Sequence, residues 1–109
     1  MTYATLRSLG LRLAVATVMT SQMAAARCEE SSIMIDNFTF EPAQLVVKIG
    51  TTVTWKNRDD IPHTVVSAGK FRSKTLDTDD SYSFTFTAAG DYTYFCSLHP
   101  HMKGTIKVE

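Results

Sequence analysis

The residues best able to do chemistry lie in one short run near the end of the chain, Cys96-Ser97-Leu98-His99-Pro100-His101-Met102. Within this run a thiol, an imidazole and a thioether stand at the spacing C-x-x-H-x-x-M. These groups are soft to borderline metal ligands, so they favour copper over magnesium or calcium. Two histidines and a cysteine in a trigonal set, with a long axial methionine, form the copper sites that transfer electrons. The run therefore predicts such a site, provided that a second histidine comes from elsewhere.

That second ligand is predicted to be His63, which follows Ile61-Pro62 about thirty residues upstream. It comes after the strand that contains Trp55 and after its loop, so it can reach the same end of a folded sheet as Cys96. His101 alternates with the ligands and is predicted to face solvent beside the site. The predicted site is one mononuclear type 1 copper ion held by His63, Cys96, His99 and Met102.

Each ligand has a simpler explanation when it is taken singly. A lone cysteine in a secreted domain is often buried and inert, and a lone methionine is usually a core residue. Either histidine could lie on the surface. A disulfide between Cys28 and Cys96 is also conceivable in an exported protein. The joint occurrence of these residue types favours the copper site, and we disfavour the disulfide because the site needs Cys96 as a ligand.

The elements that position this site are predicted to be β-strands. From Ile33 onward, apolar and polar residues alternate in short runs separated by Gly, Pro and Asp, and no segment after Ala26 has a helical period. Regular turn spacing in a chain of this size predicts a Greek-key two-sheet β-sandwich, with a tyrosine corner in Asp91-Tyr92-Thr93-Tyr94. The charged stretch from Lys70 to Asp80 is predicted to be a solvated loop or an edge strand. The apolar positions that share one side of a strand are Leu45, Val47 and Ile49; Val53 and Trp55; Tyr82, Phe84 and Phe86; and Tyr92, Tyr94 and Cys96.

The N-terminal segment is predicted to be a secretory signal peptide. It contains Arg7 and Arg12, no acidic residue, a short apolar run and the small residues Ala24-Ala25-Ala26. This is the order of a basic region, an apolar region and a cleavage site. The apolar run is shorter than the roughly 18 residues that span a bilayer, so no stable membrane insertion is expected. We therefore predict a signal peptide over residues 1–26, one domain over residues 27–109 and a periplasmic location.

Composition narrows the classes of function. The chain has 109 residues, 11 Lys and Arg against 11 Asp and Glu, and three histidines. A net charge of zero without a basic block argues against nucleic-acid binding. Copper oxidases and nitrite reductases need additional histidine-rich copper sites, and two of the three histidines are already assigned. The sequence therefore does not predict an enzyme.

From Ile33 to Glu109 the sequence resembles the cupredoxins, the small blue copper proteins. Residues 34–42, Met-Ile-Asp-Asn-Phe-Thr-Phe-Glu-Pro, look like the first strands of the family. Residues 53–59, Val-Thr-Trp-Lys-Asn-Arg-Asp, look like its V-x-W-x-N-x-D segment before the first histidine. The tight C-x-x-H-P-x-M-x-G loop, Cys96 to Gly104, is most similar to the amicyanin group, whereas plastocyanins and azurins have longer spacings in this loop. The sequence as a whole resembles the amicyanin and plastocyanin-like group most. The resemblance implies a cupredoxin-like sandwich and the same four ligands.

Two residues depart from the family pattern. Thr64 stands where an asparagine usually follows the first ligand, so we expect its backbone N–H to reach the cysteine sulfur but the side-chain bracing to be lost. His101 replaces an apolar residue of the loop and is expected to make a docking surface more polar. Neither departure affects the expected metal.

The expected function is that of an exported, monomeric carrier that shuttles single electrons between redox proteins. A protein donor and a protein acceptor are expected to dock transiently near His99. The alternative is a periplasmic copper carrier or chaperone, because such a site also binds copper tightly. Metal delivery usually needs exposed, exchangeable ligands, whereas His63 is expected to lie within the sandwich.

Overall fold

The computed structural model describes residues 29–109, and in that part of the chain it contains nine β-strands and no helix. They form a four-stranded sheet of order β2-β1-β4-β7 and a five-stranded sheet of order β3-β9-β8-β5-β6. The predicted all-β, two-sheet sandwich is thus confirmed. Within residues 29–109 no helix could cross a membrane. The strands are β1 (Glu30–Asp36), β2 (Thr39–Glu41), β3 (Gln44–Val47), β4 (Thr52–Asn57), β5 (Val66–Ser67), β6 (Phe71–Arg72), β7 (Ser81–Thr85), β8 (Gly90–Phe95) and β9 (Lys103–Val108).

The predicted signal peptide over residues 1–26, and Cys28 with its conceivable disulfide, lie outside the described residues. Within those residues Cys96 is a buried free thiol.

The core between the two sheets follows from the alternation in the strands. In β4 the side chains of Val53, Trp55 and Asn57 are fully buried, while the residues between them are half-buried. Successive side chains of a strand point to opposite faces, so this pattern turns one face of β4 inward. Aromatic rings supply much of the core that this face meets, with neighbouring centroids 4.7 to 5.8 Å apart: Phe40, Trp55, Phe71, Phe86 and Tyr94.

Strand pairing decides where the site forms. β5 pairs antiparallel with β8 through Val66 and Phe95. Extending that register by two residues places Thr64 opposite Ser97, at the start of the β8–β9 loop (residues 96–102). β8 and β9 pair antiparallel along their full lengths. The chain after β4 and the loop after β8 therefore meet at one end of the sandwich.

The tyrosine corner predicted in residues 91–94 is present, and these residues lie within β8. The Tyr92 hydroxyl donates a hydrogen bond to the carbonyl oxygen of Ala88, four residues upstream, at 2.8 Å. A bond of this kind ties a strand to the connection that precedes it. Here it fixes the crossing from β7 to β8, the strand that leads into the cysteine loop.

The structure departs from the sequence pattern at two places. Ile49 shares the parity of Val47 but is 54% exposed, because β3 ends at Val47 and the chain turns there. The charged stretch from Lys70 to Asp80 contains the edge strand β6, as predicted, yet it also buries Phe71 and Leu76. Isolated apolar residues among charges carry no periodic signal, so these two core positions were not foreseen.

Candidate metal centre

Three of the four predicted ligands converge at the end of the sandwich. One ligand atom from each of His63, Cys96 and His99 lies within 4.8 Å of the other two. The Cys96 Sγ atom is 3.7 Å from Nδ1 of His63 and 3.6 Å from Nδ1 of His99. His63 and Cys96 are fully buried, and His99 is half-buried. The structure thus brings the distant histidine to the cysteine loop.

Backbone hydrogen bonds fold the β8–β9 loop back on itself. The N–H of His99 donates to the Cys96 carbonyl at 3.2 Å, and the N–H of Met102 donates to the His99 carbonyl at 2.9 Å. The Cys96 N–H donates to the Met102 carbonyl at 3.1 Å, which closes the loop at its base. Met102, the fourth predicted ligand, has a side chain only 2% exposed. The three predicted ligands of the loop therefore lie on a short segment held between two paired strands.

The loop that carries His63 is built around the buried side chain of Asn57. Its amide donates to the carbonyl oxygens of Ile61 and Leu76, each at 2.9 Å, and its Oδ1 accepts the Asp59 N–H at 2.9 Å. His63 and Leu76 also exchange two backbone hydrogen bonds, of 3.1 and 2.8 Å. The position of His63 is thus fixed from two sides, by its own loop and by the segment before β7.

Asp59 decides which nitrogen of His63 is free to bind a metal. The His63 Nε2 atom lies 2.7 Å from Oδ2 of Asp59, in a buried contact. A carboxylate only accepts hydrogen bonds, so Nε2 carries the proton of the neutral ring. Nδ1 then keeps its lone pair, and Nδ1 is the atom that faces Cys96. Metal-binding histidines commonly donate their second ring N–H to a carboxylate in this way.

The same carboxylate holds a turn between β1 and β2. Oδ1 accepts the Asn37 N–H at 2.7 Å and Oδ2 accepts the Phe38 N–H at 3.0 Å. Both turn residues have positive φ, 52° and 61°, which is unusual for a bulky side chain such as phenylalanine. Burial acts to raise the pKa of Asp59, but the bonds from Phe38, His63 and Asn37 together outweigh it and lower the pKa below the ordinary 3.8.

Phe38 links that turn to both imidazoles. Its ring meets His63 edge-to-face with centroids 5.5 Å apart, and it meets His99 in the same way at 5.1 Å. Such contacts are favourable aromatic arrangements. Because Phe38 is 39% exposed, it covers the two rings and also contributes to the surface.

The donor set fits a copper ion. Metal–nitrogen and metal–sulfur bonds of about 2.0 and 2.3 Å, as zinc makes, place nitrogen and sulfur about 3.7 Å apart at a trigonal angle. The two observed nitrogen–sulfur distances, 3.7 and 3.6 Å, agree with that separation. One thiol and two imidazoles in a buried pocket are also the equatorial ligands of copper sites that transfer electrons.

The expectation that side-chain bracing is lost at Thr64 is wrong. The Thr64 hydroxyl oxygen accepts the Ser97 N–H at 2.7 Å and lies 2.8 Å from Ser97 Oγ. Its backbone N–H donates to Cys96 Sγ at 3.3 Å, as predicted. A hydroxyl is long enough to brace the cysteine loop because the β5–β8 register places these two residues opposite each other.

Gly104, the last residue of the loop motif, lies where a larger residue would not fit. A Cβ atom at Gly104 would overlap the hydroxyl and ring of Tyr94, with Cε1 only 2.9 Å away. Tyr94 and Gly104 are paired residues of β8 and β9, and Tyr94 is buried in the core. The absence of a side chain at Gly104 therefore lets the Tyr94 ring pack against β9.

The site opens to solvent on the side of His99. The exposed apolar side chains Leu98, at 50%, and Phe38, at 39%, flank it. His101 is exposed, where the alternation of the loop predicts it, and belongs to no ligand cluster among residues 29–109. The exposed residues around His99 thus include the apolar side chains of Phe38 and Leu98 and the polar side chain of His101.

Sequence reasoning assigned no role to Asp59 or Phe38. For Asp59 a signal was available, since it stands four residues before His63 and inside the V-x-W-x-N-x-D segment. Phe38 had no such signal, because its contact with the imidazoles depends on a left-handed turn.

Comparisons with known proteins agree with this geometry. The family model for the cupredoxin-like domain matches residues 10–108. Amicyanin of Paracoccus denitrificans is 37% identical over 97 residues, which cover 82% of this chain and 74% of that protein. Plastocyanin of Scenedesmus fuscus is 38% identical over 84 residues, covering 64% of this chain and 86% of that protein.

Solved structures show the same likeness. A purple cupredoxin from Nitrosopumilus maritimus superposes with a TM-score of 0.71 at 33% identity, covering 72% of this chain and 99% of that one. A reduced amicyanin with one tryptophan replaced by tyrosine superposes with a TM-score of 0.69 at 36% identity, covering 72% of this chain and 80% of that one.

Proposed function

The chain belongs to the cupredoxin-like domain family, and we propose that it holds its copper ion with His63, Cys96, His99 and Met102. It is a small blue copper electron carrier, with redox proteins as partners, and it is not an enzyme. The observation that carries the ligand assignment is the convergence of the Cys96 sulfur with two imidazole Nδ1 atoms in a buried pocket.

The ligands are held in a way that suits electron transfer. When bound, copper supplies a couple that changes by one electron. His63 is fixed by Asp59 and by its backbone pairing with Leu76, and the other ligands lie on a loop closed by its own hydrogen bonds. A rigid ligand frame keeps one geometry through both oxidation states, so little reorganisation opposes the transfer.

We propose that electrons enter and leave the copper site through the imidazole of His99. It is half-buried, whereas His63 and Cys96 are fully buried. The apolar side chains of Phe38 and Leu98 beside it suit transient docking of a protein partner, because small apolar contacts bind without long residence. We further propose that the carrier acts as a monomer.

Burial of the ligands disfavours the alternative of a copper carrier or chaperone. Metal handover needs ligands that a receiving protein can reach. Here the sulfur and the first imidazole are covered by Thr64, Asp59 and Phe38. A site closed in this way favours retention of the metal while electrons pass.

We propose that the protein is exported to the periplasm. Support comes from residues 1–26, whose basic start, apolar run and Ala24-Ala25-Ala26 follow the order of a secretory signal. N-terminal sequencing of the protein recovered from the periplasmic fraction tests this proposal, and recovery of a full-length chain from the cytoplasm would refute it.

The ligand assignment is tested by visible spectroscopy of the protein loaded with Cu(II). We expect an intense thiolate-to-copper charge-transfer band that Cys96→Ser abolishes and Cys28→Ser leaves unchanged. A wild-type protein that binds copper but stays colourless would contradict the site. Repeated reduction and oxidation in the presence of a copper chelator then tests the carrier role, since progressive loss of copper would favour metal delivery.

A further inference from the structure

Thr64 fills the narrow space between Ser97 and the Cys96 sulfur. Its side chain is buried, with the residue 5% exposed. The backbone N–H donates to Cys96 Sγ at 3.3 Å, and the hydroxyl oxygen lies 3.8 Å from the same sulfur. The hydroxyl oxygen also accepts the Ser97 N–H at 2.7 Å and lies 2.8 Å from Ser97 Oγ. One residue thus presents both of its donor groups to the sulfur.

The direction of the hydroxyl proton follows from counting donors and acceptors. A threonine hydroxyl has one proton and two lone pairs. The Ser97 N–H uses one lone pair, and the exposed Ser97 hydroxyl can donate to the other. The Thr64 proton then has the Cys96 sulfur as its acceptor. A cysteine that binds a metal is deprotonated, and an ionised acceptor attracts a donor more strongly than a neutral hydroxyl does.

We propose that Thr64 is a positioning residue that tunes the copper centre, with its hydroxyl, oriented by Ser97, donating a second hydrogen bond to the Cys96 thiolate. This rests on the proposed function, in which Cys96 is a copper ligand. The hydrogen bonds from Ser97 to Thr64 and from Thr64 to Cys96 take the place of the bonds that an asparagine side chain would make at position 64.

The second bond has a defined electronic consequence. A thiolate gives more of its electron density to Cu(II) than to Cu(I), so its sulfur is more negative in the reduced protein. A donor at the sulfur is therefore stronger in the reduced state and favours reduction. It also lowers the energy of the sulfur lone pair and so raises the energy of the charge-transfer band. Hydrogen bonding at the cysteine sulfur is a known determinant of the potential of such sites.

The test is Thr64→Val, which keeps the backbone N–H and the shape of the side chain but removes the hydroxyl. We expect the charge-transfer band to move to longer wavelength. We also expect the equilibrium constant for reduction by a fixed electron donor to fall about two- to tenfold, as for loss of one hydrogen bond. Thr64→Ser restores the hydroxyl and should return both values to those of the wild type.

Ser97→Ala tests whether the Thr64 hydroxyl donates its proton to the Cys96 sulfur or to the Ser97 hydroxyl. If the Thr64 hydroxyl donates to the sulfur, removing Ser97 Oγ leaves that bond in place and the band unchanged. A band that moves to shorter wavelength would mean that the hydroxyl had donated to Ser97 instead, which overturns the proposal.

Hydrogen exchange in the copper-free protein shows whether Thr64 holds the cysteine loop in place. Compared with the spectroscopic results, it distinguishes this structural role from an effect on the copper centre. The Ser97 amide should lose protection in Thr64→Val and keep it in Thr64→Ser, because its acceptor is the Thr64 oxygen. Faster exchange together with an unchanged band and reduction equilibrium would make Thr64 only a brace and refute the proposal. A colourless wild type would instead refute the proposed function, so the two failures are distinguishable.

Discussion

Asp59 offers the sharpest test of how the fold supports the site, because one carboxylate holds both the turn at Asn37 and Phe38 and the ring of His63. Asparagine at position 59 has one oxygen for three donors. With that oxygen in place of Oδ2 it still accepts from Phe38 and His63, but its NH₂ group then faces the Asn37 N–H, whose present bond is 2.7 Å. We therefore expect Asp59→Asn to lose one bond to a charged acceptor and lower the free energy of unfolding by about 2 kcal/mol.

Alanine at position 59 removes all three acceptor contacts. We expect Asp59→Ala to lower the free energy of unfolding by about 3 to 5 kcal/mol and to weaken copper binding about 10- to 100-fold, since the His63 ring loses the partner that orients it. Asp59→Asn keeps the bond to His63 in its favoured orientation, so its copper affinity should fall by less. The two variants therefore separate the role in the turn from the role at the metal.

The assays are chemical denaturation of the copper-free proteins and competition for copper with a chelator. The control is Asp60→Asn, which removes an exposed neighbouring charge. Because the folded pKa of Asp59 is lowered, its contribution to stability is present above about pH 4 and is lost as the pH falls through the folded pKa. The difference in the free energy of unfolding between wild type and Asp59→Asn should therefore become smaller as the pH falls through this range. Equal stabilities of Asp59→Asn and Asp60→Asn at neutral pH would refute the reasoning.

Three further predictions concern Met102, the fourth proposed ligand, and the strands beneath the site. Met102→Gln should keep copper but lower the reduction potential, since a harder oxygen donor favours Cu(II); an unchanged potential would make Met102 a packing residue only. Gly104→Ala should lower the free energy of unfolding by about 1 to 3 kcal/mol through overlap with Tyr94, and by less in a Tyr94→Phe background, as denaturation of the single and double variants will show. Burial raises the pKa of Tyr94 to about 12. Its contribution to stability is therefore complete below about pH 10 and is lost as the pH rises towards 12, a decline of about 3 kcal/mol that Tyr94→Phe should lack.

Residue types and local spacing were enough to predict the fold class and the convergence of His63, Cys96 and His99. The loop spacing of Cys96, His99 and Met102 is set within seven residues, and the alternation around Val53 and Trp55 repeats over a whole strand. Signals of this kind depend only on neighbours in the sequence, so a single chain reveals them.

The groups that orient the predicted ligands depend on more distant contacts. The four-residue spacing between Asp59 and His63 is a local signal for the bond that joins them, but no local signal points to the bonds between Asp59 and the turn before β2. Asp59 binds backbone groups 21 and 22 residues upstream. Phe38 reaches the imidazoles because its turn is left-handed, which its side chain does not favour. Both contacts join segments whose distance in space is decided by sheet pairing, and local patterns contain no information about that pairing.

The bracing by Thr64 depends on register in the same sense. β5 is only two residues long and meets β8 through a single pair, Val66 and Phe95. A single residue pair does not by itself fix the register between β5 and β8. A shift of one residue would turn each side chain of β5 to the other face of the sheet. Side-chain bonds hold the register instead: Ser67 Oγ donates to the Thr93 carbonyl at 2.8 Å, and the Thr64 hydroxyl accepts the Ser97 N–H. The bond at Thr64 therefore both aligns the strand that follows His63 and braces the loop that carries Cys96, which is why a hydroxyl at this position stabilises the site and the sandwich together.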